Sequence, residues 1–482
     1  MGHAIIGRKQ EIALLDRVMQ AEQAEFVAVY GRRRVGKTFL IYEYFKEHLV
    51  FSFSGSYEQP MRVQLGHFMA EYMRATKGDG VYHSPRNWNE AFSYLTDYLH
   101  KIATTQKNKA VVFIDEMPWL DSPRSGFVAA LDYFWNQHAS KMKNVVLVAC
   151  GSKSSWIKQK LLRSKGGLYN RVTKRIELKP FNLGETAAYC EAKRLKLSHF
   201  QLVRLYMVMG GIPFYLNELT EGKSVDQQID AICFSSTGLL FSEFEQVYHS
   251  LFKNASHHQA IVEALARSPY GLTRGKLAKQ SGLKYDGTFN RALEELTDSG
   301  FVISYRPFQK KVKETMYRLT DMYSLFYLRF IRSNKSGMEN TFQQIASHAD
   351  YQAWCGYAYE NICFLHIPQI IKAMGLQGTF TQVSSWYHQG NDEVPGAQID
   401  ILIDRKDGMV NCCEVKFSHH EFVLTKDYAA TLRRKRSAFQ QVTGTKKSVV
   451  TTLVTTWPAV RNVHYQDEIY SEVTLEDLFV TV

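Results

Sequence analysis

Hydrophobic and polar positions fall into three successive regimes along the chain. From residue 1 to about 250, short aliphatic and β-branched runs alternate with longer helical stretches. Glu25–Tyr30, Ala110–Asp115 and Val145–Cys150 are the clearest runs, each apolar through its middle. A strand buried on both faces needs such a run, and the intervening helices supply the cover. The pattern therefore predicts a parallel α/β sheet. From Ser256 the spacing becomes helical. It predicts helices over Ser256–Arg267, from a Thr273 cap through Gln280, and over Gly287–Ser299, where Phe289, Leu293 and Leu296 form one stripe. Strands are expected at Phe301–Tyr305 and Glu314–Leu319. From about 340 the chain begins helical, then gives a hairpin, a basic helix and a further strand. The expected division is a core over 1–180, a helical segment over 181–250, a helix-and-strand module over 251–335, and a C-terminal α/β domain over 336–482.

Parity carries the reading of the hairpin. Gln398–Asp404 and Asn411–Phe417 flank the turn signal Arg405-Lys406-Asp407-Gly408. A three-residue loop, Lys406 to Gly408 with Gly408 left-handed, pairs Arg405 with Met409. Counting back along both strands sets Asp400 opposite Glu414 on one face, with Lys416 two residues further on that face. Ile399, Ile401 and Ile403 then share the other face with Cys413, Val415 and Phe417, and that apolar face is the expected core. A two-residue loop would separate Asp400 from Glu414.

Composition narrows the partners. The 482-residue chain is 45% hydrophobic and 22% charged, with a formal charge of +12 from 59 Lys and Arg against 47 Asp and Glu. Such a balance suits phosphate-rich partners, nucleic acid first. The 7 cysteines are odd in number and form no CxxC pair. That argues against a zinc ribbon or a disulfide framework and fits a reducing cytoplasm. The N-terminus lacks the apolar core of a signal peptide, and Ile6 stands where a myristoylation motif has Ser or Thr. No apolar run approaches the roughly 18 residues of a membrane span, so no membrane partner is expected.

Gly31-Arg32-Arg33-Arg34-Val35-Gly36-Lys37-Thr38 follows the first strand run and opens a helical stretch. Strand, glycine-rich loop and helix are the setting in which GxxxxGK[ST] cradles phosphates. Gly31 and Gly36 let backbone N–H groups wrap the phosphates, the helix N-terminus adds positive potential, Lys37 reaches the β- and γ-phosphates, and Thr38 meets Mg²⁺. ATP and Mg²⁺ are the expected cofactors. Asp115 and Glu116 end the second run. Asp115 is expected to hold the Mg²⁺ shell, and Glu116 to polarise the attacking water. Ser152 follows the third run and reads either as a γ-phosphate sensor or as a turn serine. Arg171, after Gly166-Gly167-Leu168-Tyr169-Asn170, reads either as an arginine finger, in cis or from a neighbouring subunit of a homo-oligomer, or as a solvated arginine.

Ile6-Gly7-Arg8-Lys9-Gln10-Glu11, the P-loop, the Asp-Glu strand, Gly151-Ser152 and Gly210-Gly211-Ile212-Pro213 together resemble the archaeal-type AAA+-related ATPases of the STAND-like branch of P-loop NTPases. The resemblance covers residues 1 to about 250. It implies that the Gly-Gly-x-Pro turn belongs to a helical lid beside the nucleotide. The helices and strands of 251–335, with Lys310, Lys311 and Lys313 at a basic tip, look like a winged helix-turn-helix. Such a module either grips DNA or packs as an adaptor between ATPase and effector.

Asp400, Glu414 and Lys416 present two carboxylates and an ammonium, a hard-cation site able to activate water. Asp on one strand and Glu-x-Lys on the next resemble the PD-(D/E)xK restriction-endonuclease-like nucleases, in particular the nuclease-like domain often fused to this ATPase family. That resemblance implies a helical glutamate before the hairpin, and Glu360 in Tyr359-Glu360-Asn361-Ile362 matches it. The Pro-Asp dipeptide is absent; Ile399 precedes Asp400. Downstream, Lys426, Arg433, Arg434, Lys435, Arg436, Lys446 and Lys447 form a basic stretch suited to a phosphodiester backbone, or a solvated helix face. Gln440 on that stretch is a further candidate. The expected whole is an ATPase gating a Mg²⁺-dependent nuclease that acts on DNA in preference to RNA. Similarly fused proteins suggest defence against phage or mobile DNA. The alternatives are a nucleotide-switched DNA-binding regulator with an inactive nuclease fold, and a signalling hub that recruits a protein partner.

Overall fold

The computed structural model describes residues 4–79, 83–105, 108–163, 168, 170–334 and 340–481. It divides into two compact units, 1–179 with 298–300, and 180–297 with 301–482.

The first unit is built on five parallel strands: β1 (Glu25–Tyr30), β2 (Leu49–Ser54), β3 (Ala110–Asp115), β4 (Val145–Gly151) and β5 (Lys174–Glu177), in the order β2-β3-β4-β1-β5. The unbroken apolar runs of β1, β3 and β4 are buried along their whole length, as central strands covered on both faces must be. β5 carries Lys174 and Arg175 and lies at an edge, where one side of the ladder is unpaired. On one face, Phe68, Trp88, Phe92, Phe127 and Phe134 pack against Phe26, Val112 and Leu147. Phe92 and Phe134 stack at 5.0 Å between centroids. Because every strand runs the same way, the loops after β1, β3 and β4 all emerge at one edge of the sheet.

The second unit contains two sheets. The three helices Ala255–Ala266, Arg274–Ser281 and Gly287–Asp298 accompany β6 (Leu272–Thr273), β7 (Val302–Tyr305) and β8 (Met316–Leu319), antiparallel in the order β6-β8-β7. Thr273 stands at the helix start, but its side chain makes no cap hydrogen bond. Its backbone pairs with Met316 instead, so a strand takes the place of the expected cap. The larger sheet comprises β9 (Thr381–His388), β10 (Ala397–Arg405), β11 (Met409–Lys416), β12 (Ser448–Thr455) and β13 (Ile469–Thr474), in the order β13-β12-β11-β10-β9. β9, β10 and β11 are antiparallel neighbours, whereas β11, β12 and β13 run parallel.

The Lys426–Thr443 helix starts at Thr425, whose hydroxyl accepts from Tyr428 N–H, and stops at Gly444, which takes the left-handed conformation (φ 63°). Its Ala438 and Phe439 pack on Leu402, Val410 and Cys412. The Ala349–Leu365 helix also packs against this sheet, with the Tyr359 hydroxyl donating to Thr455 O at 3.2 Å. The sheet face bearing Asp400 and Glu414 is therefore a second packed face and not the open side of a one-sided core. A bulge between Ile399 and Leu402 breaks the β9–β10 register and turns Ile399 into the Leu402 cluster, away from the face expected for it. Among the described residues no helix is long and apolar enough to cross a membrane. All seven cysteines are buried free thiols.

Candidate functional sites

Gly31 emerges from β1 with φ 146°, and a Cβ there would stand 2.1 Å from Leu178 O. Close approach to the Leu178 backbone, more than room for a ligand, fixes glycine at this position. Gly36 (φ 88°) has open space around it and precedes the Lys37–Phe45 helix, which no side chain caps. Its first N–H groups thus remain available for an anion. Lys37 is buried, and its ammonium donates to Gly31 O (3.1 Å), Arg32 O (2.8 Å) and Ser152 Oγ (3.1 Å), which uses all three of its donors.

Asp115 ends β3 and accepts from two directions. Thr38 Oγ1 donates to Oδ2 at 2.6 Å, and Glu116 N–H donates to Oδ1 at 2.8 Å. Thr38 and Asp115 are neighbouring oxygen donors of the kind Mg²⁺ takes, so this pair fits the cation. Glu116 adopts φ 41°, an uncommon left-handed conformation for a non-glycine residue. Its carboxylate accepts from Ser152 N–H at 3.2 Å and from the Ser152 hydroxyl at 2.5 Å. Lys37, Ser152 and Glu116 thus form one chain of hydrogen bonds, and Thr38, Asp115 and Glu116 another.

Arg32 is buried and Arg33 exposed; Arg34 is half-buried at φ 72°, and Val35 is buried. Arg171 lies in an exposed turn ahead of β5, and no interaction joins it to Lys37 or Glu116 among the described residues. Gly166, Gly167 and Tyr169 of its sequence context lie outside the described residues. Arg8 braces the loop. Its buried guanidinium donates to Val35 O at 3.0 Å and to Lys179 O at 2.8 Å. The sequence marked Arg8 only as part of a motif; an arginine beside a glycine near an N-terminus gives no hint of two carbonyl partners.

In the second unit, Ile401 pairs with Cys413 and Asp404 with Val410. The loop runs from Lys406 to Gly408, with Gly408 at φ 89°, so Asp400 lies opposite Glu414. Asp400 Oδ2 accepts from Val415 N–H at 3.1 Å. Glu414 is surrounded. Lys416 Nζ lies 2.9 Å from Oε1, Lys435 Nζ lies 2.7 Å from Oε2, and the Tyr428 hydroxyl donates to Oε1. Tyr428 and the pairing of Lys435 with Glu414 were not legible in sequence, because Lys435 sits in a run of basic residues whose partners only the helix orientation selects.

Opposed carboxylates titrate in opposite directions here. Burial and the Glu414 charge push Asp400 above the usual carboxylate range. Burial acts against Glu414 too, but Lys416 and Lys435 outweigh it and hold Glu414 below that range. A cation held between the two would relieve the repulsion that lifts Asp400, and their oxygens suit a hard ion. Glu360 is elevated by burial and then by Asp400. It is not gathered into one metal-holding set with Asp400 and Glu414: among the described residues no three such side chains stand in that arrangement. Its Oε2 lies 3.5 Å from Nη2 of Arg318, a residue of β8.

The basic stretch is largely committed internally. Arg433 and Arg436 both pair with Glu468, and Lys447 donates to Asp404 at 2.5 Å and to Arg405 O at 2.6 Å. Arg434 and Gln440 are exposed.

Residues 5–219 match the family model described as an ATPase domain predominantly from Archaea. Residues 327–430 match one described as archaeal and bacterial proteins of unknown function. An uncharacterized protein of Methanocaldococcus jannaschii is 24% identical over 408 residues, spanning 80% of this chain and 82% of that protein. Among solved structures, the Walker-type ATPase of Pyrococcus abyssi is 18% identical, with a TM-score of 0.48, over 67% of this chain and 96% of that one. Cdc6p of Pyrobaculum aerophilum is 11% identical, with a TM-score of 0.35, over 72% of this chain and 96% of that one. The segment that matches the ATPase domain, 5–219, is the one that carries the P-loop geometry described above, and both agree with nucleotide binding there.

Proposed function

We propose that this chain is an ATP-gated, Mg²⁺-dependent nuclease acting on DNA. The observation that carries the reading is the opposition of Asp400 and Glu414 across the β10–β11 hairpin, with Lys416 on the same face. In the first unit, Lys37 would turn from the loop carbonyls to the β- and γ-phosphates. Thr38 and Asp115 would hold Mg²⁺, and Glu116 would orient the attacking water once Ser152 lets it go. In the second unit, Asp400 and Glu414 would hold a divalent ion that lowers the pKa of bound water and neutralises the scissile phosphate, and Lys416 would orient that water. The helices and small sheet of 255–319 would serve as a winged helix-turn-helix, its Lys310, Lys311 and Lys313 on backbone phosphates. Arg171 would act as an arginine finger only within a homo-oligomer or after a local rearrangement. Defence against phage or mobile DNA is the role that similarly fused proteins suggest.

A second reading has one observation in its favour. Both Glu414 oxygens are already engaged by Lys416, Lys435 and Tyr428. A carboxylate so engaged suits an inactive nuclease-like fold inside a nucleotide-switched DNA-binding or signalling regulator. The deciding experiment incubates wild type and Glu414→Ala with plasmid DNA, Mg²⁺ or Mn²⁺, and ATP. Cleavage by wild type and none by the variant is expected. Intact plasmid with both proteins across metals and nucleotides sinks the nuclease reading. ATP-dependent oligomers without salt-sensitive DNA affinity would then favour the signalling reading.

A further inference from the structure

Arg318 projects from β8, where its backbone faces Ile303 of β7. Its side chain is 2% exposed and leaves the small sheet to enter the face of the Ala349–Leu365 helix that carries Glu360. The guanidinium lies over the ring of Tyr357 (5.4 Å) and the ring of Phe364 (5.0 Å), one turn to either side of Glu360. Two further contacts accompany it. The Ser385 hydroxyl of β9 donates to the Tyr305 oxygen of β7 at 2.9 Å, and Phe308 packs on Phe439 at 5.2 Å.

The Arg318–Glu360 pair is incompletely made. At 3.5 Å it is an ion pair and not a hydrogen bond, and neither Nε nor Nη2 of Arg318 nor Oε2 of Glu360 has a hydrogen-bond partner among the described residues. Burying two charges without satisfying their polar atoms is a poor way to stabilise a fold. A hydrophobic pair of similar volume would serve packing better. The arrangement is intelligible by what it does to the neighbouring site. Three carboxyl groups, Glu360, Asp400 and Glu414, meet three cations, Arg318, Lys416 and Lys435, so the cations already present can offset every negative charge the cluster carries.

We propose that Arg318 is a latch: while β8 is seated against the Ala349–Leu365 helix, its guanidinium draws Glu360 away from Asp400 and Glu414 and keeps a divalent cation out. Withdrawal of Arg318 frees Glu360 to turn to the other two carboxylates and adds a net negative charge where the ion binds. The small sheet thereby controls the carboxylate site. This rests on the metal-site reading given above.

The test is Mn²⁺ binding to the nucleotide-free full chain, followed by electron paramagnetic resonance. Asp400→Asn serves as the reference that isolates the site. Arg318→Met, which keeps the volume and removes the charge, is expected to tighten the Asp400-dependent Mn²⁺ affinity at least ten-fold. Arg318→Lys, which keeps the charge but loses the planar guanidinium between the two rings, is expected to tighten it less, and carries the test if Arg318→Met does not fold. Asp400-dependent binding of equal or weaker affinity in the folded variants overturns the latch and leaves the metal site standing. Absence of Asp400-dependent binding in wild type and variants alike overturns the metal site itself.

Discussion

Ser152 holds Glu116 by two hydrogen bonds, from its backbone N–H at 3.2 Å and from its hydroxyl at 2.5 Å. The carboxylate expected to orient water is thus tied to the residue that follows β4. Ser152 also accepts from Lys37, so a γ-phosphate that recruited Lys37 would alter the hold on Glu116. If Ser152 senses the γ-phosphate, Ser152→Ala is expected to lower kcat for ATP about ten- to hundred-fold, with ADP affinity little changed. Steady-state turnover and a fluorescent ADP titration check it; an unchanged kcat would remove Ser152 from the coupling.

Lys37→Ala deletes the ammonium that the loop carbonyls and Ser152 now hold. ATP turnover should vanish. DNA cleavage should change only through the lost nucleotide response, because Asp400 and Glu414 belong to the other unit. Plasmid cleavage in that variant, with and without ATP, is the measurement; cleavage that responds to ATP as in wild type contradicts the gating.

His366 is buried, accepts from Leu183 N–H at 2.9 Å and contacts Ile362 O at 2.7 Å. Burial lowers its pKa from 6.5 to about 4. The folded state therefore keeps the imidazole neutral where the unfolded chain protonates it. Stability is full above about pH 6.5 and is lost as pH falls towards 4, by about 2 kcal/mol at pH 5. Urea unfolding at pH 7 and pH 5 should show this loss in the second unit. In His366→Gln, which cannot charge, the difference between the two pH values should shrink by about that amount.

Half-buried Lys435, on a helix, pairs with buried Glu414, on a strand. Lys435→Met leaves Lys416 as the remaining ammonium and is expected to cost about 2 kcal/mol. Glu414→Gln with Lys435→Met should cost less than the sum of the single changes, by about 1 kcal/mol or more. A double-mutant cycle by urea denaturation measures it. Additive losses would show that the two do not interact.

The nucleotide loop was legible because its chemistry is local: strand, glycines, Lys37 and Thr38 are consecutive, and Asp115 closes an apolar run. The Asp400–Glu414 opposition was legible because turn length and a period of two fix it. The cover over that face was not, since nothing in the strand says which helix packs on it. Glu360 and Arg318 illustrate the limit most sharply. They lie 42 positions apart (360 − 318) on elements whose approach is set by packing of Tyr357, Phe364 and Phe308. β9 and β13 carry mixed polar and apolar residues and become strands only because β10 and β12 offer them a ladder.

Burial of all seven thiols gives the molecule an internal clock. Burial raises their pKa values, so a native cysteine offers an alkylating reagent little thiolate and no access. Alkylation then reports core opening. Cys150, on β4 two residues before Ser152, is the lone cysteine of the first unit, and the other six belong to the second. Peptide mapping of the modified sites over time would read the breathing of each unit separately, in one sample and without an added label.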